Sequence, residues 1–307
     1  MSRICVLGSF NIDIMSAVSR FPRTGETITV DTFDLQIGGG KGANQAVALG
    51  RLGADVMMVG KLGERFYGPE YLTVLEKNGV SCEAVDVVPN AFPGAAFVAV
   101  DGNRDNILFI YPGTNALVDA DWIDRNWHSI SGCTVFLMQL EIPMETNLHL
   151  MHRISNRERV LILDPAPAKP LPDALLTGVD FLTPNEVELG MLTDRRVETE
   201  SDFKEACDVL LAKGAKAIIA KAGKRGAYVA DGSSFSLVPG FQVDAVDPTA
   251  AGDSFNAGFA LALTEGRAVL DCVRFANAVA ALSTTAFGAQ QAMPTRAEVD
   301  AFLRRHE

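Results

Sequence analysis

Asp253 closes a run of small residues, Thr249-Ala250-Ala251-Gly252, just where apolar residues begin to recur at helical spacing: Phe255, Ala257, Phe259, Ala260 and Leu263. The pattern predicts a helix that begins near Gly252. The first amides of a helix have no internal acceptor and carry the positive end of its dipole, so they form an anion site. Alanine and glycine leave that site open to close approach. An acidic residue in a first turn complements the dipole wherever it occurs. Beside a bound phosphate it can do more, because phosphoryl transfer to an alcohol needs a base for the hydroxyl proton, donors for the transferred charge, a metal and in-line placement. Asp253 would be the base, and the amides of Ala250, Ala251, Gly252 and Asp253 the donors.

Other polar groups fit an alcohol-bearing substrate. In IGGGKGANQA, exposed glycine amides with Lys41 and Asn44 could bind several hydroxyls of a sugar. The stretch is no Walker loop, since Gly42 follows Lys41; Gly38, Gly40 and Ala43 also fit the loose dinucleotide pattern, although Lys41 lies in its middle. GSFNID carries Asn11 and Asp13 two apart, pointing the same way from an extended segment; the expectation is that they end the first strand, where they suit a polyol or simply a turn. Glu141, in MQLEIP, follows another strand. TPNEVE puts Asn185 and Glu188 at a helix start, hard oxygen donors able to hold Mg²⁺ through water. Gly223 and Gly226 flank a turn between two strands and allow close approach by a nucleotide. Glu145, His149 and His152 share a helical face but have no fourth ligand nearby and read as solvated surface.

These groups need a frame. Apolar runs at 4–7, 56–59, 135–138, 160–163, 181–183 and 217–220 predict strands. Helical patterns alternate with them at about 41–52, 68–79, 144–155, 202–213, 252–264, 268–286 and 295–305. Continuous apolar strands between amphipathic helices predict a doubly wound, mostly parallel α/β sheet with helices on both faces, with ligands at the strands' carboxyl ends. Two stretches break the alternation. In RFPRTGETITVDTFDLQI, Ile28 and Val30 form one period-2 set and Phe33, Leu35 and Ile37 another. GAAFVAVDGNRDNILFIY predicts two strands about Asp101-Gly102-Asn103. The two could pair into a small sheet suited to a lid or a dimer contact.

The chain has 307 residues, 48% hydrophobic and 21% charged, with a net charge of −11. That acidity argues against nucleic-acid and anionic-membrane partners, which need basic patches. No signal-peptide pattern or membrane-length apolar run is present. Five scattered cysteines without CxxC pairs fit buried thiols in a reducing compartment, and the expected location is the cytoplasm.

GGGKGANQA and DPTAAGDSFNAG together resemble the ribokinase-like (PfkB) carbohydrate kinase family. GSFNID, MQLEIP, DPAPA, TPNEVE, VPGFQV and FGAQQAMP extend the likeness, in order, over nearly the whole chain. The resemblance implies a single ribokinase-like α/β domain over 1–307 with a β lid at about 14–37 and 93–112, often a homodimer interface. It also implies an ATP-dependent sugar kinase acting on the primary hydroxyl of a pentose, D-ribose foremost, with Mg²⁺ and a monovalent cation, usually K⁺. Asp253 is then the base and Ala250 to Gly252 the anion hole. Asn11, Asp13, Gly40, Lys41, Asn44 and Glu141 hold the sugar. Asn185, Lys221, Gly223, Gly226, Gly252 and Asn277 contact nucleotide, and Glu188 meets the Mg²⁺ water shell. Asp247, Thr249, Ser283, Ala286 and Gly288 surround the monovalent cation. Pro248 and Ala292 depart from the family pattern around that cation, and Phe97 and Leu108, in the lid strands, leave the acceptor open. Deoxyribose, fructose, a keto-deoxy sugar acid or a nucleoside are alternative acceptors. A silent sugar or nucleotide sensor needs no base, and a dinucleotide oxidoreductase rests only on the loose glycine pattern.

Overall fold

Ile4 and Val6 pack into one apolar core, while Cys5 and Leu7 pack into another. Adjacent strand residues point to opposite faces, so a strand buried on both sides must be apolar throughout. The computed structural model describes residues 3–103, 105–154 and 158–306. The chain begins with β1 (Ile4–Leu7), β2 (Asn11–Ala17), β3 (Thr32–Gly39), α1 (Lys41–Arg51), β4 (Val56–Gly63), α2 (Gly68–Lys77) and β5 (Val80–Val88). It continues with β6 (Gly94–Val100), β7 (Asn106–Tyr111), α3 (Ala120–Arg125), α4 (Trp127–Ile130), β8 (Val135–Met138), α5 (Met144–Ile154) and β9 (Val160–Leu163). Then come α6 (Asp173–Gly178), β10 (Phe181–Leu182), α7 (Glu186–Thr193), α8 (Glu200–Ala212), β11 (Ile218–Lys221), β12 (Gly226–Ala230) and β13 (Phe235–Pro239). The last elements are α9 (Ala251–Thr264), α10 (Val269–Ser283) and α11 (Arg296–Arg304).

Nine strands form the large sheet in the order β13-β12-β11-β10-β9-β8-β1-β4-β5, parallel from β11 to β5 and antiparallel where β12 and β13 join. One core takes residues of α1, α2, α9, α10 and α11; the other takes residues of α3 to α8. This is the expected doubly wound α/β architecture, with helices on both faces. A separate four-stranded sheet has the order β3-β2-β6-β7, and its β6–β7 pair is the antiparallel hairpin expected about residues 101–103.

Several expectations need correction. Asn11 and Asp13 do not end β1; a register irregularity at Asn11/Ile12 starts β2, which pairs with β3 and β6 in the small sheet. Ile28 and Val30 lie outside any strand, in an exposed stretch that follows a turn clamped by the Arg20–Glu26 ion pair. The helix expected to run to 286 stops at Ser283, where the hydroxyls of Thr284 and Thr285 turn back onto the Ala281 and Leu282 carbonyls. The last residue of the helix expected over 144–155 lies outside the described residues, as does residue 104 of the expected lid. Among the described residues no helix is long and apolar enough to cross a membrane.

Candidate active site

Asp253 is buried in the first turn of α9, preceded by Ala250 in the left-handed region at φ 58°. Its Oδ2 accepts from Asn44 Nδ2 at 3.0 Å, and its Oδ1 from Gln45 Nε2 at 3.2 Å. Both donors stand near the start of α1, Asn44 in its first turn and Gln45 next to it, so the N-terminal ends of two helices meet at this carboxylate. Burial pushes its pKa up to about 6; the Lys41 ammonium opposes that rise, the Asp164 carboxylate adds to it, and the two amides oppose it. A carboxylate held near pH 6 is ionised at neutral pH yet basic enough to take a proton from a hydroxyl in the transition state.

The donors behind Asp253 have a fixed polarity. Gln45 Nε2 also donates to Asp164 at 3.1 Å, and its Oε1 accepts from Gln139 Nε2 at 2.7 Å. Asn44 Oδ1 accepts from Gln290 Nε2 at 3.1 Å. One donor of the supposed anion hole is spent elsewhere: the Ala251 amide closes a turn onto the Pro248 carbonyl at 3.1 Å. Gly252 and Asp253 still head the helix, whose first amides have no acceptor within it. Lys221 sits beside them, since a Cβ on Gly252 would meet its ammonium at 3.4 Å.

On the small-sheet side, Asn11 is held by Asn115 Nδ2, which donates to its Oδ1 at 2.9 Å. Asp13 Oδ1 is buried with no hydrogen-bond partner among the described residues. Burial, with Glu141 and Asp253 nearby, raises the Asp13 pKa to about 6. Gly40 has φ 85°, and a Cβ there would come within 2.8 Å of the Asn11 amide, so only glycine lets β3 turn into α1 against this segment. Glu141 is less free than the sequence implies: its Oε2 accepts from the Lys41 amide at 2.9 Å and from the Ser9 hydroxyl, whose oxygen in turn accepts from the Gly42 amide at 3.3 Å. Burial works against the Lys41 ammonium, but the carboxylates of Asp253, Asp164, Glu141 and Glu188 outweigh it and hold its pKa above the usual lysine value.

Asp253 also lines a cavity of about 520 Å³. Lys41 and Asp164 line it too, together with Asn185, Glu188, Lys221, Gly223, Gly226, Gly252 and Asn277. Phe241, Val243, Pro248 and Ala281 add an apolar surface. Asn185 and Glu188 form a capping box for α7, each donating a backbone amide to the other's side chain at 2.8 Å, which commits one oxygen of each. Asn277 Nδ2 is likewise engaged, on the Val238 and Pro239 carbonyls. Glu188 supplies only carboxylate oxygens to the cavity, chemistry that fits Mg²⁺ held through water, whereas both Asp164 oxygens are taken up by Lys221 and Gln45. At its edge Asp247 accepts from the Thr249 amide and hydroxyl and from the Gly288 amide, drawing two loops together. These hydrogen bonds hold its carboxyl below the ordinary range, outweighing its burial. The Ser283 hydroxyl is turned onto the Ala280 carbonyl, and Ala286 faces a separate hollow with Leu282 and Met293. His149 pairs with Asp124 at 2.9 Å on the surface, as its helical face suggests.

Asp164, Gln45, Gln139, Gln290 and the Phe241 loop received no role from the sequence. The DPAPA and VPGFQV stretches were the available signals; what they lacked was a partner, which comes from far along the chain. The glycine-rich stretch ends β3 of the small sheet and not the first βα turn of the large one, which removes the dinucleotide pattern.

The family model for pfkB carbohydrate kinases matches residues 1–296. The chain is 38% identical over 303 residues to the ribokinase of Bacillus subtilis, covering 99% of this chain and 100% of that one. A deoxyribokinase of Salmonella typhi is 32% identical over 305 residues, 99% of each. The structure of Arabidopsis thaliana ribokinase complexed with ribose and ATP matches with a TM-score of 0.93 at 32% identity, covering 99% of each chain. Sequence, backbone and the meeting of the two glycine motifs at one carboxylate agree from end to end: the chain belongs to the pfkB family of carbohydrate kinases.

Proposed function

We propose that the protein transfers the γ-phosphoryl of ATP to the primary hydroxyl of a pentose, turning D-ribose into ribose 5-phosphate with release of ADP. The position of Asp253 carries this conclusion. It lines a cavity of about 520 Å³, and its carboxylate meets the polar groups of α1 and lies near Asp13 of β2. The full-length likeness to ribokinases, one of them complexed with ribose and ATP, supports the substrates.

Asp253 takes the proton as the hydroxyl oxygen attacks the γ-phosphorus and the bond to the β-phosphate oxygen breaks. The amides of Ala250, Gly252 and Asp253, with Lys221 beside them, bind the negative charge of the transferred group. Asn11, Asp13, Gly40, Lys41, Asn44 and Glu141 orient the sugar. Asn185, Gly223, Gly226 and Asn277 line the nucleotide side. Mg²⁺, when bound, neutralises phosphate charge, and Glu188 would hold its water shell. A monovalent cation is assigned to the paired loops of Asp247, Thr249 and Gly288, with Ser283 and Ala286 beyond them. The small sheet would act as a lid and as the contact of a homodimer. Five free cysteines fit a reducing compartment such as the cytoplasm.

ADP release over a panel of D-ribose, 2-deoxyribose, fructose, a keto-deoxy sugar acid and nucleosides, each with and without K⁺, tests this. D-ribose should have the highest kcat/KM and K⁺ should raise it. A higher value for another acceptor would replace ribose, and no ADP release with any of them would overturn the activity.

A further inference from the structure

A single nitrogen joins the two carboxylates at the centre of the molecule. Gln45 Nε2 lies 3.1 Å from Asp164 Oδ2 and 3.2 Å from Asp253 Oδ1. The other Asp164 oxygen, Oδ1, accepts from the Lys221 ammonium at 3.0 Å. The Lys221 and Asp164 side chains are 12% and 3% exposed, so this ion pair is screened little by solvent. Lys221 also faces the nucleotide cavity and borders Gly252. The series Lys221–Asp164–Gln45–Asp253 therefore runs unbroken from the nucleotide cavity to the base. An amide between two carboxylates must present its NH₂ to both, and Gln139 fixes that orientation by donating to Gln45 Oε1.

We propose that Asp164 is a positioning residue: it holds the Lys221 ammonium at the head of α9 and, through Gln45, couples the charge in the nucleotide cavity to the strength of the base Asp253. With the cavity empty, Lys221 neutralises Asp164. A nucleotide phosphate competes for that ammonium, so Asp164 is less compensated and its negative charge weighs more on Asp253. The base then binds a proton more strongly when a phosphoryl donor is in place. The coupling rests on Asp253 acting as the base.

The charged groups facing Asp253 are Lys41 at the start of α1, Asp164 after β9 and Asp13 on β2; Glu141 and Glu188 face it through Lys41, and Lys221 through Asp164. Their signs make the test two-sided. Asp164→Asn removes a negative charge beside the base, so the acid limb of kcat/KM against pH should move down by about one pH unit. Lys221→Met leaves Asp164 uncompensated, so the limb should move up by a similar amount. Loss of a charged phosphate contact should also raise the KM for ATP about tenfold. Asp164→Asn, which frees the Lys221 side chain to wander, should raise the KM for ATP severalfold, a larger factor than its loss in kcat at pH 8.

Should Lys221→Met fail to fold, the double variant Asp164→Asn/Lys221→Met leaves no unpaired buried charge. Its limb should lie above that of Asp164→Asn alone. Limbs that stay in place or move the same way, or an Asp164→Asn enzyme with unchanged KM for ATP, overturn the coupling. Asp253→Asn separates the two ideas: if it loses turnover while the limbs do not split, only the coupling fails; if it turns over normally, the base itself is wrong.

Discussion

Asn44 Nδ2 donates to Asp253 Oδ2 across 3.0 Å, tying the first turn of α1 to the first turn of α9. These turns come from the two glycine-containing stretches, 209 residues apart in sequence. The contact gives Asp253 a defined direction, because Gln290 holds the Asn44 carbonyl oxygen from behind. A base held this way should be hard to replace.

Asp253→Asn should therefore keep ATP and sugar binding, measured by calorimetry, and lose at least about a hundredfold in kcat. In the unsubstituted enzyme, activity should fall below about pH 6, where burial makes Asp253 take up its proton. Initial rates of ADP release from pH 5 to 9 read the limb directly. Near-normal turnover by Asp253→Asn would remove this residue from the chemistry.

Asp13 predicts a trade of stability for binding. Its folded pKa of about 6 lies above its unfolded value of 3.8, so the folded state holds the proton more tightly. Stability is then lost as pH rises from the unfolded toward the folded value, and above about pH 6 the buried charge stays destabilising. Asp13→Asn removes that charge. The ligand-free protein should gain roughly 1–2 kcal/mol at pH 8, with the gain shrinking as pH falls through 6 toward 4. The KM for sugar should rise, since an acceptor for its hydroxyls is lost. Denaturation at pH 8 and pH 5 would settle it; an equal change at both would deny Asp13 its raised pKa.

The legible parts of this chain are those whose cause is local. Strands buried on both faces are apolar runs, and β1, β8 and β9 fall at the residues their runs predict. The unread strands β5 and β13 are the two edges of the large sheet, where polar residues interrupt the run. Asn11 and Asp13 follow the apolar run of β1 directly in GSFNID; only pairing with β3 and β6 shows that the chain has entered a second sheet. Asp164, in DPAPA, has no local partner to announce a role, because Lys221 and Gln45 lie 57 and 119 residues away. The Ala251 amide could not be discounted either, since nothing local announces that Ala250 takes a left-handed conformation.

Two glycines with positive φ separate conformation from contact. At Gly40 a Cβ would meet Asn11 N at 2.8 Å and Ser9 O at 3.0 Å; at Gly223, with φ 55°, it would meet nothing within 4 Å. Gly223→Ala should cost about 1 kcal/mol, the strain of a left-handed alanine alone. Gly40→Ala adds backbone collisions and should cost at least about 3 kcal/mol, with a loss of sugar affinity as β2 is pushed from α1. Urea denaturation of the two variants checks the order. Equal losses would mean that the junction of β3 and α1 yields without resistance.

The small sheet has two unlike faces, and the difference predicts how copies of the chain associate. Asp13 stands on one face, in register with Gln36 and Ala96. The alternate residues form an apolar row across all four strands, Leu35, Ile14, Phe97 and Phe109, flanked by Phe33, Ile107 and Tyr111. Phe97 and Phe109 are 44% and 67% exposed, directly opposite one another. Exposed aromatic pairs of this kind favour burial against a partner surface. If that surface is the same face of a second copy, Phe109→Glu places like charges across a two-fold contact and should yield a monomer by sedimentation equilibrium. The groups proposed to act in catalysis stand on α1 and α9, outside the small sheet, so the monomer should stay folded by circular dichroism. Its KM for sugar should rise more than its KM for ATP, because the sheet that loses its support carries Asn11 and Asp13 and lines none of the nucleotide cavity. A variant that sediments like the unsubstituted protein would assign the row some other role.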